Sequence, residues 1–292
     1  MIALHKWRSG VAFAACAVTL VCAVYAIVAG MILYTAQGYH PSELFRFFTT
    51  DANILTAAAA GMIIPFTVEG YRRKQFTYPK WLALIHYAGT ICVTLTMVCA
   101  VGLISWFDRE LAFGGYNIFL HIVCPVMVLV SFFLVESDRK ITRRESLLCL
   151  LPFAVYAVVY TAEVALIGEQ NGGWPDFYQA MVYMPAGVSF VLLVVAALAV
   201  SFGIRKVYNS LTDRRERQMM AHWDPAAAPV EIKIEVFGLG RYRGLHGDDR
   251  AALPLDIFHM LTERYGLTEE ELARAYLRGL LDGRAERKER KA

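Results

Sequence analysis

Charge is what this sequence has little of. Of its 292 residues only 19% are Asp, Glu, Lys or Arg, 57% are hydrophobic, and the mean hydropathy is +0.42. Soluble domains keep about 25% of their residues charged, so the deficit excludes an ordinary soluble domain and points to an integral membrane protein. A net charge of +3 gives no footing for nucleic acid or for a strongly acidic partner. Paired cysteine motifs are also missing. The six cysteines (Cys16, Cys22, Cys92, Cys99, Cys124, Cys149) all fall inside apolar runs without CxxC or CxxH spacing, so neither a disulfide framework nor a zinc site is expected.

What is present is a series of long apolar runs. They lie at roughly 11–33, 44–68, 81–104, 118–136, 147–167 and 177–203, each near the roughly 20 residues a helix needs to cross a bilayer. The predicted fold is all-α, a six-transmembrane-helix bundle over residues 1–203. The first run is expected to be a retained helix rather than a signal peptide, because it is of spanning length and no small-x-small cleavage site follows "HKWR".

Lys and Arg cluster before the first run (Lys6, Arg8), between the second and third (Arg72, Arg73, Lys74, Lys80), between the fourth and fifth (Arg139, Lys140, Arg143, Arg144) and after the sixth (Arg205, Lys206, Arg214, Arg215). The alternate loops hold almost none. By the positive-inside rule both termini are cytoplasmic, and the cell membrane is the expected location.

After Gly203 the composition turns polar, and residues 204–292 form a cytoplasmic tail of expected α+β structure. "PVEIKIEVFG" alternates like a half-buried strand. "PLDIFHMLTERYG" and "TEEELARAYLRGLLDGRAERKER" read as helices, the second opened by a Thr268/Glu271 capping box. The tail's charged end reads first as a solvated helix terminus, with a protein partner or the membrane surface as the alternative.

Polar groups inside a bilayer are costly and turn toward partners. "FFTTDANIL" opens the second run with Thr49, Thr50, Asp51 and Asn53, and "NIFLHIVCPV" opens the fourth with His121 and Pro125. Pro125 has no N–H for the His121 carbonyl, so a local kink is expected there. At 1.5 Å per residue, Thr50 and His121 both lie within about 5–9 Å of the external boundary. A hydroxyl and an imidazole at one depth are the minimum for nucleophilic catalysis, with the histidine as base. Interhelical hydrogen bonding is the competing reading for the threonines and Asn53, and snorkelling to the interface is the one for His121. On the fifth run Tyr156, Tyr160 and Glu163 share one stripe, and Glu163, if turned inward, could fix the imidazole tautomer.

His86, Thr90 and Thr94 form a second polar stripe on the third run. A vertical gap of about 16 Å between His86 and His121 is too long for one haem to bridge. No metal or diffusible cofactor is implied.

The six-run topology and the two motifs resemble the androgen-induced-protein and androgen-dependent TFPI-regulating-protein family and its bacterial relatives, over roughly the first two hundred residues. That resemblance implies an intramembrane threonine hydrolase of fatty acid esters of hydroxy fatty acids, with a membrane lipid as substrate. His121 takes the place of the family histidine. The family threonine stands three residues before an asparagine, here Asn53, which selects Thr50; four before, as in some bacterial relatives, selects Thr49. Asp51 and Ala52 depart from the apolar residues usual there, and a carboxylate facing the site would oppose a developing alkoxide.

The leading expectation is therefore a lipid-ester hydrolase with Thr50 or Thr49 as nucleophile and His121 as base. Asn53 is the expected substrate or oxyanion donor, with Glu163 and Tyr160 in support. The alternative is a non-enzymatic transporter or sensor, whose polar residues would run from Thr49 through His86 and Thr94 as a continuous path.

Overall fold

A computed structural model describes residues 2–73, 79–134, 140–178, 185–221, 236–237, 239–243, 261–262 and 266–290. The chain divides into two compact units, Met1–Arg214 and Arg215–Ala292. The first therefore extends past the composition change at Gly203.

The first unit is helical. Its elements are α1 (Ile2–Ala36), a 3₁₀ turn (Pro41–Arg46), α2 (Phe48–Arg73), α3 (Lys80–Cys99), a π turn (Ala100–Ile104), and the short α4 (Ser105–Phe107) and α5 (Arg109–Phe113). A second π turn (Phe119–Val123) leads into α6 (Cys124–Leu134), followed by α7 (Arg143–Leu148), α8 (Leu151–Thr161), a third π turn (Ala162–Ile167) and α9 (Ala186–Ala221).

Among the described residues five helices are long and apolar enough to cross a membrane: Trp7–Ala36, Phe48–Arg72, Lys80–Ile104, Arg143–Ile167 and Ala186–Arg214. They mark a multi-pass membrane protein. The fourth of the six predicted spans is represented among the described residues by a shorter apolar helix, Phe119–Leu134, and residues 135–139 after it lie outside them. The turn before it is residues 114–116, and Asn117 and Ile118 are already helical ahead of the π turn.

Apolar side chains face outward as well as inward. Val21, Tyr25, Val28 and Ile32 of α1, Leu151, Val155 and Val158 of α8, and Val188, Val191 and Val195 of α9 are all exposed. Such stripes suit hydrocarbon rather than water. Inside, Tyr87, Ile91, Phe132, Phe153 and Tyr208 form the main core. The Tyr87 hydroxyl donates to the Ser201 carbonyl at 2.7 Å and meets Ser146 Oγ at 2.8 Å, joining α3, α7 and α9. Thr142 caps α7 in a capping box with Glu145, whose carboxylate also pairs with Lys80 at the start of α3.

In the second unit α10 (Glu269–Glu289) begins with the predicted capping box: Thr268 Oγ1 accepts from Glu271 N–H, and Glu271 Oε2 accepts from Thr268 N–H at 3.0 Å. Val236, Leu261, Leu267, Leu272 and Tyr276 form its core. The expected strand is not found: no strand occurs among the described residues, Val236 and Phe237 are helical, and residues 230–235 lie outside them. Among the described residues the helices pack closely, with Gly240 meeting the Tyr276 carbonyl and Gly279 the Phe237 carbonyl. A Cβ on Gly279 would stand 2.0 Å from that oxygen. Of the first predicted tail helix, Leu261 and Thr262 are helical and residues 254–260 and 263–265 lie outside the described residues.

Candidate functional site

The site forms where the start of α2 meets the π turn before α6. Helix α2 begins at Phe48, so Thr49 and Asn53 stand one turn apart on one face while Thr50 is rotated onward. Pro125, the second residue of α6, cannot supply an N–H to the turn before it. The chain opens there into a π turn, closed by the Cys124 N–H donating to the Phe119 carbonyl. Turns of this kind recur at functional sites.

His121 sits in that turn, 6% exposed. Its Nδ1 lies 2.6 Å from the Ala112 carbonyl oxygen. A carbonyl only accepts, so Nδ1 carries the proton, and in the neutral ring Nε2 is left as the acceptor. Thr49 Oγ1 is 3.3 Å from Nε2, so the hydroxyl donates to the imidazole, the polarity a base needs toward its nucleophile.

Ala112 is fully buried in α5, which Asp108 caps by accepting from the Leu111 N–H at 2.8 Å. Asn117 Nδ2 donates to the Leu111 carbonyl at 2.9 Å and folds the following turn back. Gly114 closes α5 where a Cβ would stand 2.5 Å from the Glu110 carbonyl oxygen.

Asn53 is fully buried, and its Nδ2 donates to the Thr49 carbonyl at 2.8 Å and to the Leu120 carbonyl at 3.2 Å. Both partners are acceptors, which fixes the amide orientation and ties α2 to the histidine's turn. The expected role of oxyanion donor is corrected: both amide hydrogens are committed, and the group left over is the buried acceptor Oδ1, which has no hydrogen-bond partner.

The hydroxyl in contact with His121 is that of Thr49; Thr50 is 1% exposed on the next face. Glu163 is not the group that orients the imidazole, because the Ala112 carbonyl occupies Nδ1; Glu163 lies half-buried in the third π turn. Tyr160 donates to Asp176 at 2.5 Å and stacks on Tyr156, fastening α8 to the loop after it. Asp51 is exposed and lines a separate apolar cavity of about 350 Å³ with Phe48, Leu55, Val155, Tyr156 and Trp174. That is another face of α2, so its carboxylate does not oppose chemistry at Thr49.

Two groups escaped the sequence reading. The Ala112 carbonyl is a backbone group and leaves no mark in residue type. Tyr178, beyond a Gly-rich loop, accepts the Phe48 N–H at 2.9 Å beside Thr49; its signal was the aromatic pair Phe177–Tyr178 following the acidic loop.

Of the second stripe, His86 Nε2 lies 3.1 Å from Ser131 Oγ, while Thr90 and Thr94 donate to the carbonyls of His86 and Thr90. Among the described residues no group of three or more His, Cys, Asp or Glu is arranged to hold a metal ion. No protein-family model, curated protein or solved structure matches the chain.

Proposed function

We propose that this protein is an intramembrane threonine hydrolase of lipid esters, with Thr49 as nucleophile and His121 as general base. The observation that carries the reading is the Thr49 Oγ1 to His121 Nε2 contact at 3.3 Å, with the imidazole tautomer set by the Ala112 carbonyl. In the first step Thr49 Oγ adds to the ester carbonyl carbon and His121 Nε2 takes its proton. Collapse of the tetrahedral intermediate breaks the ester C–O bond, and the departing alcohol takes that proton. Water then adds to the acyl-threonine with the same base, releasing the fatty acid and restoring the hydroxyl.

The Tyr178 hydroxyl, held against the start of α2 by the Phe48 N–H at 2.9 Å, and the Thr49 backbone N–H are the donors for the oxyanion. First-turn N–H groups have no acceptor within their own helix. Asn53 holds the two halves of the site in register, and its free Oδ1 accepts from a substrate hydroxyl.

In this reading Phe119–Leu134 is a sixth, short span, the termini and the tail lie in the cytoplasm, and the protein sits in the cell membrane with the site in the outer leaflet. The substrate is a membrane lipid resembling a fatty acid ester of a hydroxy fatty acid. A transport path is less well supported, because Thr90 and Thr94 turn their hydroxyls to carbonyls of their own helix.

The test is hydrolysis of long-chain esters by the folded, purified full chain, with covalent labelling by a lipid-like fluorophosphonate. Turnover and a label on Thr49, both lost in His121→Ala, are expected. A folded protein that neither turns over such esters nor takes the label sinks the proposal.

A further inference from the structure

We infer that the end of the helical unit opposite Thr49 carries a binding site for a phosphate-bearing anion, formed by Arg143, Arg205 and Lys206. The two ends are distinguished by the chain itself: Thr49 opens α2, whereas Arg143 opens α7 beside the Lys80–Glu145 pair at the start of α3. A cavity of about 640 Å³ lies there, lined by Arg143, Phe202, Arg205, Lys206, Asn209 and Asp213 among others. That is within the roughly 300–1,000 Å³ typical of small-ligand sites.

Besides the three cations, Ser210 and the committed groups Asp213 and Asn209 are its polar lining. Asp213 is held by Lys140 at 2.6 Å. The Asn209 amide accepts from the Ile141 N–H and donates to the Ile141 carbonyl, both at 3.0 Å. Among the described residues none of the three cations pairs with a carboxylate. Arg205 Nε is buried with no hydrogen-bond partner, and its guanidinium carbon lies 5.4 Å over the Phe202 ring. A buried N–H without an acceptor is rare and costly. An anion in the cavity supplies the acceptor.

The chemistry favours phosphate over a lone carboxylate. Two guanidinium groups offer planar forks that match phosphate oxygens, and Lys206 adds a point charge beside them. Arg205 and Lys206 follow directly on the apolar run of α9, the level at which lipid headgroups meet basic side chains. The phosphate has two sources, a phospholipid headgroup or a soluble phosphate. This site stands independently of any hydrolase activity.

The experiment uses the full-length protein in neutral detergent. Its Tm and, by native mass spectrometry, its bound mass are followed with dihexanoyl phosphatidic acid, dihexanoyl phosphatidylcholine or inorganic phosphate. Phosphatidic acid is expected to raise Tm and bind, with affinity falling about fivefold for each cation removed in Arg143→Gln, Arg205→Gln and Lys206→Gln. An equal response to inorganic phosphate identifies the soluble anion as sufficient, and a response confined to phosphatidic acid identifies the headgroup; either supports the site. If Arg205→Gln does not fold, the exposed Arg143 and Lys206 variants carry the test. Binding that is equal for phosphatidylcholine, binding unchanged in the variants, or no response to any of the three overturns the inference.

Discussion

Replacing Thr49 by valine removes one oxygen and keeps the branched shape, so the packing of a side chain only 9% exposed survives. What is lost is the donor to His121 Nε2 at 3.3 Å, which leaves a buried acceptor unmet. Polar contacts between membrane helices average about 0.6 kcal/mol and reach about 1.7, so thermal unfolding shifts modestly and the variant folds. Activity behaves differently. On the proposed mechanism Thr49→Val lowers hydrolysis of a long-chain ester at least about a thousandfold, or about 4 kcal/mol of barrier, and abolishes fluorophosphonate labelling. Thr50→Val is the control: its hydroxyl does not contact the imidazole, and its rate stays within about threefold of wild type because no transition-state contact is removed. The assay is the initial rate of ester cleavage by purified variants, with the labelled residue mapped by mass spectrometry. A label on Thr50, or full activity in Thr49→Val alongside its loss in Thr50→Val, refutes the assignment.

Asn53→Ala removes two hydrogen bonds between α2 and the π turn but also removes an unpartnered acceptor, so its net cost is about 1 kcal/mol. Its hydrolysis falls about tenfold or more, measured as Tm beside rate, since small misplacements of reacting groups are magnified in rate. Pro125→Ala restores an N–H to the turn holding His121, so the π turn can relax toward α; the folded variant loses most of its activity, and a rate within threefold of wild type counts against the turn's role. In the second unit Gly279→Val drives a side chain into the Phe237 carbonyl and costs about 1–3 kcal/mol, seen as faster proteolysis within residues 215–292 while the first unit resists. Arg241 and Arg290, at 3.0 and 2.7 Å, hold the Glu286 carboxyl below the usual carboxylate range. A depressed folded value contributes stability above the unfolded value of about 4.3, which is lost as pH falls through the folded value. Helicity of α10 by circular dichroism is therefore steady from neutral pH to about 5 and declines below about 4, and Glu286→Gln removes that dependence.

Much of the helical unit was legible because bilayer thickness imposes a length on its apolar runs. The fourth run is present among the described residues as the shorter helix Phe119–Leu134, because hydropathy marks an apolar run without fixing the bounds of its helix. At the site, residue type pointed to Thr49, Thr50, Asn53 and His121, and spacing could not choose between the threonines. The choice rests on where α2 begins, and helix starts are the least legible feature when the preceding segment is itself a 3₁₀ turn. The Ala112 carbonyl was illegible in principle. Glu163 was the natural candidate for its place, since carboxylates are the side chains that commonly orient a histidine. Of the strand expected over 229–238 only Val236 and Phe237 fall among the described residues, and they are helical.

The commonest use of a buried threonine in this protein is local, and that explains why Thr49 differs. Thr19, Thr56, Thr90 and Thr94 each donate to the carbonyl four residues back in their own helix, which satisfies the hydroxyl and removes it from chemistry. Thr49 stands in the first turn of α2, and the carbonyl three residues behind it, that of Arg46, is engaged by the Tyr156 hydroxyl at 2.8 Å. The residue four behind, Phe45, lies in the 3₁₀ turn rather than in the helix. Placed at the helix start, the hydroxyl is left to the His121 ring that the π turn delivers. Moving the same threonine one helical turn deeper would return it to a backbone carbonyl, so the contact with His121 depends on the helix boundary as much as on the residue.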